Sequence, residues 1–229
     1  MSDVISSKQS KVIRIEKMGK DLGLLYDSLY NEIVWIESKW IEFRELFGIK
    51  ESRIELMNKT APFFFYMIQN VLWENLLLGI ARITDPKATS GKKNITINAL
   101  SDYIADIEFK STLDNLITEI ISESDFCRDW RNRHISHKDF KLSIDNQNEE
   151  PLKLASRLKL KTVLQKVEEL VNLLEIKYFN SQTGFQYMKS DGGATNLLYI
   201  MESGLRYNAD QREKRKLGEP FDDNKQSLV

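Results

Sequence analysis

Both histidines of this 229-residue chain lie in one short window that is also rich in arginine. The window reads Arg131-Asn132-Arg133-His134-Ile135-Ser136-His137. Histidine transfers protons near neutral pH, and arginine binds phosphate oxygens through a planar, permanently charged fork. Together they suit phosphodiester cleavage without a metal. Histidine moves the proton of a ribose 2′-hydroxyl or of the leaving oxygen, and arginine stabilises the charge that develops on phosphorus.

The charge around this window differs from that of the whole chain. Residues 128–141 carry five cations and two acids, whereas the chain has 33 Lys and Arg against 34 Asp and Glu. A net charge of -1 excludes a global basic field, so contact with a nucleic acid must come from local patches. The predicted RNA-contact residues are Arg133, Lys138, Lys141, Lys153 and Arg157, and Arg128 and Asp139 are predicted to support the site.

The spacing of the window restricts how its residues can meet. Arg131 and His137 are six residues apart, which is about 240° on an ideal α-helix, so they would not share a face. His134 would lie between them. Either the helix breaks after His134 and brings His137 round, or a second copy of the chain completes the site across a two-fold axis. A purely structural interpretation also stands, because cations near a helix C-terminus are favoured by the helix dipole.

The elements that must position this window are predicted to be helices. Apolar residues recur every three or four positions along most of the chain, and only four prolines and ten glycines interrupt it. The fold class is therefore expected to be all-α. The helix that ends near Thr84 is apolar around much of its girth, which predicts that it is the most buried one. We expect an extension over residues 1–19, a helical domain over 20–207 and a charged tail over 208–229.

Composition excludes several classes of protein. One cysteine, Cys127, allows neither an intrachain disulfide framework nor a cysteine-based zinc site. The polar N-terminus lacks the apolar core of a signal peptide, and no apolar run approaches the roughly 18 residues of a membrane span. We therefore expect a cytoplasmic protein with no cofactor, no bound metal and no membrane partner.

Several stretches resemble the HEPN superfamily, a group of helical domains that includes many metal-independent RNases. The residues Arg131, Asn132 and His137 fit its arginine–polar–histidine signature. The branch associated with bacterial abortive-infection (phage-defence) proteins is also similar at residues 59–64, 76–86 and 131–139, in the same order and at similar separations. The resemblance covers roughly residues 20 to 205.

The resemblance implies a HEPN-like, up-and-down bundle of about five to seven helices that dimerises. Two motifs would face each other and cut RNA, leaving a cyclic phosphate and a 5′-hydroxyl. Arg131, Asn132 and His137 would be the catalytic residues, and His134, at a position where this branch often has an aromatic residue, would support them. Arg82 and Asp85 belong to the branch pattern, although the favoured interpretation of this pair is a helix-end ion pair or cap that holds the following loop.

Two functions follow as hypotheses. The first is a homodimeric, metal-independent endoribonuclease that acts in phage defence or as a toxin-like growth-arrest effector, with an antitoxin or activating partner as a further possibility. The second is a non-catalytic helical interaction or sensor module of a defence or toxin–antitoxin system, because some HEPN domains have lost activity.

Overall fold

The computed structural model describes residues 6–136, 150–188 and 192–222, which are folded almost entirely as helices. The predicted all-α fold class is confirmed. The α-helices are α1 (Ser7–Met18), α2 (Lys20–Phe47), α3 (Glu51–Thr60), α4 (Pro62–Ile83), α5 (Ile107–Glu123), α6 (Asp125–Trp130), α7 (Arg157–Phe179) and α8 (Ala194–Leu217). The remaining elements are an antiparallel hairpin of β1 (Ala88–Thr89) and β2 (Lys92–Lys93), 3-10 helices over Ile97–Tyr103 and Phe185–Tyr187, and a π-helical turn over Arg131–Ile135.

The starts of the helices follow from short polar side chains and one proline. Ser6 and Gln9 form a capping box at the start of α1. Asp106 and Ser156 accept hydrogen bonds from the first turns of α5 and α7. Pro62 occupies the first position of α4, where a missing N–H costs little.

The chain forms two compact units, and α2 and α4 each contribute to both. The first unit comprises Met1–Trp40 and Trp73–Met188. Its core is built mainly from α2, the second half of α4, α5 and α7, and includes Tyr26, Leu29, Ile33, Ile36, Leu76, Leu77, Ile80, Leu113, Val163, Val167 and Leu170. Within this unit α4 approaches α2 closely, because a Cβ atom on Gly79 would lie 2.8 Å from Ile36 Cγ1.

The second unit comprises Ile41–Leu72 and Lys189–Val229. Its buried cluster consists of Leu46, Met57, Phe65, Ala194 and Leu198. The start of α8 is tied to the end of α2 through the backbone N–H of Ala194, which donates to Glu42 Oε2 at 2.5 Å.

The prediction that α4 is the most buried helix is wrong for its N-terminal half. Leu76, Leu77 and Ile80 in the second half are fully buried, but in the first half Phe63 is 73% exposed and Val71 is also exposed. The first half of α4 is apolar as the sequence indicates, but no described element of the second unit covers the face that carries Phe63 and Val71. By length and composition alone α4 could cross a membrane, with a mean hydropathy of 1.2 over eighteen residues. One such helix is weak evidence for a membrane span, and 28% of its window is buried within the protein, so the expected absence of a membrane partner is neither confirmed nor contradicted.

The predicted outer segments both contain regular structure. Helix α1 packs closely on α2, since a Cβ on Gly23 would meet Ile15 Cα at 2.6 Å, and Arg14 Nη1 donates to Asp27 Oδ1 at 2.7 Å. Helix α8 continues across the expected boundary at residues 207/208 and ends at Leu217.

Candidate functional site

Arg131 is held at the end of α6 by two side chains of the first unit. Its Nη1 donates to Asp85 Oδ1 at 2.5 Å, and its Nε donates to Asn132 Oδ1 at 3.0 Å. The Arg131 and Asp85 side chains are 22% and 20% exposed, so the guanidinium is anchored and still reaches solvent. An arginine that is fixed in this way is preorganised to bind an anion, because little rotamer freedom remains to be lost.

The backbone around Arg131 is a π-helical turn. The N–H of Ser136 donates to the carbonyl of Arg131 at 2.8 Å, five residues back rather than the four of an α-helix. Such turns occur mostly as single insertions in α-helices and frequently lie at functional sites. Over Arg131–Ile135 the chain is therefore not the straight α-helix that the sequence predicts. His137 itself lies outside the described residues.

Asp85 is fixed in turn by the segment that follows the β-hairpin. Its backbone carbonyl accepts from Thr96 Oγ1 at 2.6 Å and from Asn98 Nδ2 at 2.8 Å. Thr96 is fully buried and also donates to the carbonyl of Ile83. The carboxylate that orients Arg131 is thus attached to a rigid junction between the end of α4 and the 3-10 helix.

The side chain of His134, in the π turn, contacts Glu74 of α4 and the neighbouring Trp130. Its Nε2 is 3.6 Å from Glu74 Oε1, and its ring meets the Trp130 ring edge-on with centroids 5.3 Å apart. The side chain is 40% exposed. These contacts fit a residue that braces the π turn against α4, and the supporting role that the resemblance implies for His134 stays a prediction.

A set of polar contacts supports the π turn from the chain before α7. Asp129 Oδ2 accepts from the backbone N–H of Lys153 at 2.8 Å, and Trp130 Nε1 donates to the Lys153 carbonyl at 2.8 Å. Arg133 Nη1 pairs with Asp129 Oδ1 at 3.3 Å. The Lys153 ammonium binds Asp125, and this hydrogen bond raises the pKa of Lys153. Two predicted RNA contacts, Arg133 and Lys153, therefore engage carboxylates of the protein itself.

Arg128 closes the C-terminus of α4. Its Nη2 donates to the carbonyl of Thr84 at 2.6 Å, where a cation is favoured by the helix dipole. Its Nε is buried and has no hydrogen-bond partner among the described residues. This placement gives Arg128 a structural contact one residue from Asp85, and its predicted supporting role stays a prediction.

The remaining predicted site residues divide into two groups. Arg157 is the first residue of α7 and is exposed. His137, Lys138, Asp139 and Lys141 lie outside the described residues, and their predicted roles stay predictions. Within the described ranges, no group of three or more His, Cys, Asp or Glu side chains is arranged to hold a metal ion.

A comparison with protein-family models identifies the family of the chain. The HEPN model AbiU2 matches residues 19–196, which include Asp85, the π turn and residues 137–149. The chain belongs to the AbiU2 family of HEPN proteins. The resemblance to HEPN abortive-infection proteins is thereby confirmed. Helix α1 and most of α8 lie outside the range that matches AbiU2. No curated protein and no solved structure matches the chain.

Two contacts of the site were not predicted from the sequence of this AbiU2-family chain. The sequence places Asp85 in the branch pattern but does not predict that it binds Arg131, and it gives no indication that Glu74 contacts His134. One feature of the sequence could have indicated the contact of Asp85. It directly follows a strongly apolar helix, and a polar side chain at a helix end can bind a polar group of the element that packs against that end. For the brace at the π turn, the spacings of Asp129 to Arg133 and of Trp130 to His134 are both four residues, which permits contact on a helix.

Proposed function

We propose that this chain is a homodimeric, metal-independent endoribonuclease of the HEPN type that acts in phage defence or as a toxin-like growth-arrest effector. The observation that supports it most is the anchored but accessible guanidinium of Arg131, held by Asp85 and Asn132. Membership of a HEPN abortive-infection family supports the same function. The expected cytoplasmic location and a possible antitoxin or activating partner belong to this proposal.

The proposed reaction uses proton transfer and charge stabilisation only. A histidine, His137, takes the proton from the ribose 2′-hydroxyl, and the 2′-oxygen attacks phosphorus. The P–O5′ bond breaks and the protonated histidine returns the proton to the leaving 5′-oxygen, so the products are a cyclic phosphate and a 5′-hydroxyl. Arg131 binds the non-bridging oxygens, whose negative charge grows during the attack. Asn132 holds Nε of Arg131 and so keeps the guanidinium plane aligned.

Association between copies is supported by the uncovered face of α4. Phe63, Phe64, Tyr66, Met67 and Val71 are all exposed there. Contiguous apolar surface of this kind commonly marks an interaction site. Light scattering after size exclusion should give the mass of two chains, and Phe63→Ser should shift the equilibrium toward one chain without lowering the melting temperature. A single-chain mass for the unsubstituted protein would contradict the dimer.

The test of catalysis is RNA cleavage by purified protein in EDTA. His137→Ala and Arg131→Ala should each lose cleavage, typically by a factor of about 100 or more. Arg53→Ala is a matched control, because Arg53 also forms a partly exposed pair, with Glu45 at 2.6 Å, but lies in the second unit. Undiminished cleavage in both site variants would overturn the assignment.

A non-catalytic interaction module is the second candidate. One observation favours it: the contacts of Arg131 with Asp85 and Asn132 are also those of an arginine that merely joins α4 to α6. This function predicts that the unsubstituted protein cleaves no RNA and is not toxic on expression. Toxicity that disappears in His137→Ala would exclude it.

A further inference from the structure

A cleft in the first unit shares a wall with the Arg131 site. It lies between α2, the end of α4 and the β-hairpin, and its volume is about 490 Å³. That volume is within the range of small-molecule binding clefts. Its main lining residues are Glu32, Arg82, Asp85, Lys93, Asn94 and Ile95. Asp85 is the decisive one, because its carboxylate also binds Arg131. A ligand in the cleft therefore lies beside the residue that orients the proposed phosphate-binding arginine.

The ion pairs of the cleft leave one of its two cations without a carboxylate partner in the lining. Arg82 pairs with Glu32, and Asp85 pairs with Arg131, so these charges offset each other. Lys93 pairs with neither of the two carboxylates that line the cleft, Glu32 and Asp85. Residues 86–102 contain three lysines and one acid, and that acid, Asp102, pairs with Lys87 rather than with Lys93. Lys93 is therefore the cation of the cleft lining that remains available to one phosphodiester group.

The hairpin presents Lys93 on a defined face. Ser90 and Gly91 form its two-residue loop, and both have positive φ angles, of 51° and 77°, as a type I′ turn requires. Ala88 is paired with Lys93, and Thr89 is paired with Lys92. Successive strand residues point to opposite faces, and accordingly Lys93 lines the cleft whereas Lys92 does not. The short turn keeps this difference fixed.

The rest of the lining suits a nucleobase. Ile95 is 56% exposed and offers an apolar surface to one face of a planar ring. The amide nitrogen of Asn94 donates to the Pro86 carbonyl and to Thr89 Oγ1, which fixes the side chain. Its amide oxygen remains an acceptor that can take a hydrogen bond from a base edge.

We propose that this cleft binds the nucleotide next to the scissile phosphate of a single-stranded RNA, with Lys93 on the adjoining phosphate and Ile95 against the base. The proposal rests on the proposed function, because it places the RNA relative to Arg131. It adds a substrate subsite that lies outside the histidine–arginine motif and assigns it to the β-hairpin.

Binding of a fluorescein-labelled, ten-nucleotide oligouridine tests the proposal independently of cleavage. Fluorescence anisotropy is measured across a salt series with His137→Ala, so that the RNA stays intact, and with Lys93→Ala or Lys92→Ala added. Lys93→Ala should weaken binding several-fold and reduce the slope of log K against log salt by about 0.7, the value for one phosphate contact with a single strand. Lys92→Ala removes the same charge from the same hairpin, and it should leave both the binding affinity and the salt slope nearly unchanged.

Ile95→Ala should also weaken binding, whereas Ile107→Ala, at an exposed isoleucine outside the cleft, should not. Equal effects of Lys92→Ala and Lys93→Ala, or no binding of the oligouridine at all, would overturn the subsite. The proposed function fails on a different result, which is cleavage that persists in Arg131→Ala and His137→Ala. If those variants lose cleavage and the two lysine variants behave alike, the nuclease stands and only the subsite is wrong.

Discussion

Substitution of Asp85 by asparagine separates orientation of Arg131 from stability of the fold. The change is isosteric and removes the charge that accepts from Arg131 Nη1 at 2.5 Å. Hydrogen bonds to charged groups contribute about 1.5–3 kcal/mol to stability, and ion pairs on the surface contribute up to about 1 kcal/mol. Because both side chains are about one-fifth exposed, we expect a loss of about 1–2 kcal/mol between these limits. For a chain of this length that lowers the melting temperature by about 2–8 °C.

The effect of Asp85→Asn on catalysis should be larger than its effect on stability. A displacement of a catalytic group by about 1 Å can lower the reaction rate by a factor of roughly 100. Because the Arg131 guanidinium would lose its carboxylate partner, kcat for RNA cleavage should fall by about 10- to 100-fold. The KM should stay constant or fall slightly, because a negative charge next to the RNA has been removed. Single-turnover cleavage of a labelled RNA, measured over a range of protein concentrations, separates the two parameters.

A matched pair elsewhere in the chain provides the control. The Arg53–Glu45 side chains are 20% and 23% exposed, nearly the same as Arg131 and Asp85. Glu45→Gln should therefore lower the melting temperature by a similar amount and leave cleavage unchanged. If Asp85→Asn also cleaves RNA at the rate of the unsubstituted protein while it loses the same stability, Asp85 is only a structural partner and the orientation argument is refuted.

Three further predictions concern the first unit. Gly23→Ala should lower the free energy of unfolding by about 1–3 kcal/mol, measured by urea denaturation, because the new Cβ would lie 2.6 Å from the Ile15 backbone; unchanged stability would mean that α1 does not pack there. The hydrogen bond from Lys177 lowers the pKa of Asp106 below 3.8, so Asp106→Asn should destabilise the protein at neutral pH. That difference should shrink as the pH falls below 3.8 and through the folded-state pKa, because the carboxyl of the unsubstituted protein then protonates as well; a difference that grows toward acid would contradict the sign. Burial raises the pKa of the Cys127 thiol, so a thiol reagent should label it only when denaturant opens α6, and rapid labelling of the native protein would show that α6 opens readily.

The sequence was most informative where a pattern is local. Three- and four-residue spacing predicts the helices because each apolar side chain on one face must be buried. The neighbouring positions of Arg131 and Asn132 bring their side chains into contact through the backbone alone. These features need no knowledge of which distant elements meet.

The rest of the site depends on contacts between distant parts of the chain. Asp85 and Arg131 are separated by 46 positions, and no spacing rule connects the end of one helix with the end of another. The π turn is equally hidden, because it adds one residue to a helical turn without a characteristic sequence. The exposed half of α4 shows the converse: an apolar stripe indicates what should be buried but does not identify the element that covers it.

The carbonyl of Asp85 is the point at which the hairpin loop begins and closes. The side chains of Thr96 and Asn98 donate to that carbonyl from the far end of a loop of about ten residues. The two ends of the loop are therefore joined by hydrogen bonds, and the residues at its tip are exposed. A loop closed in this way can change length or sequence at small energetic cost. Different hairpins could therefore be grafted between Pro86 and Ile95 while the anchor of Arg131 stays in place. In engineering terms, the choice of RNA and the cutting of RNA would be separable parts of one scaffold.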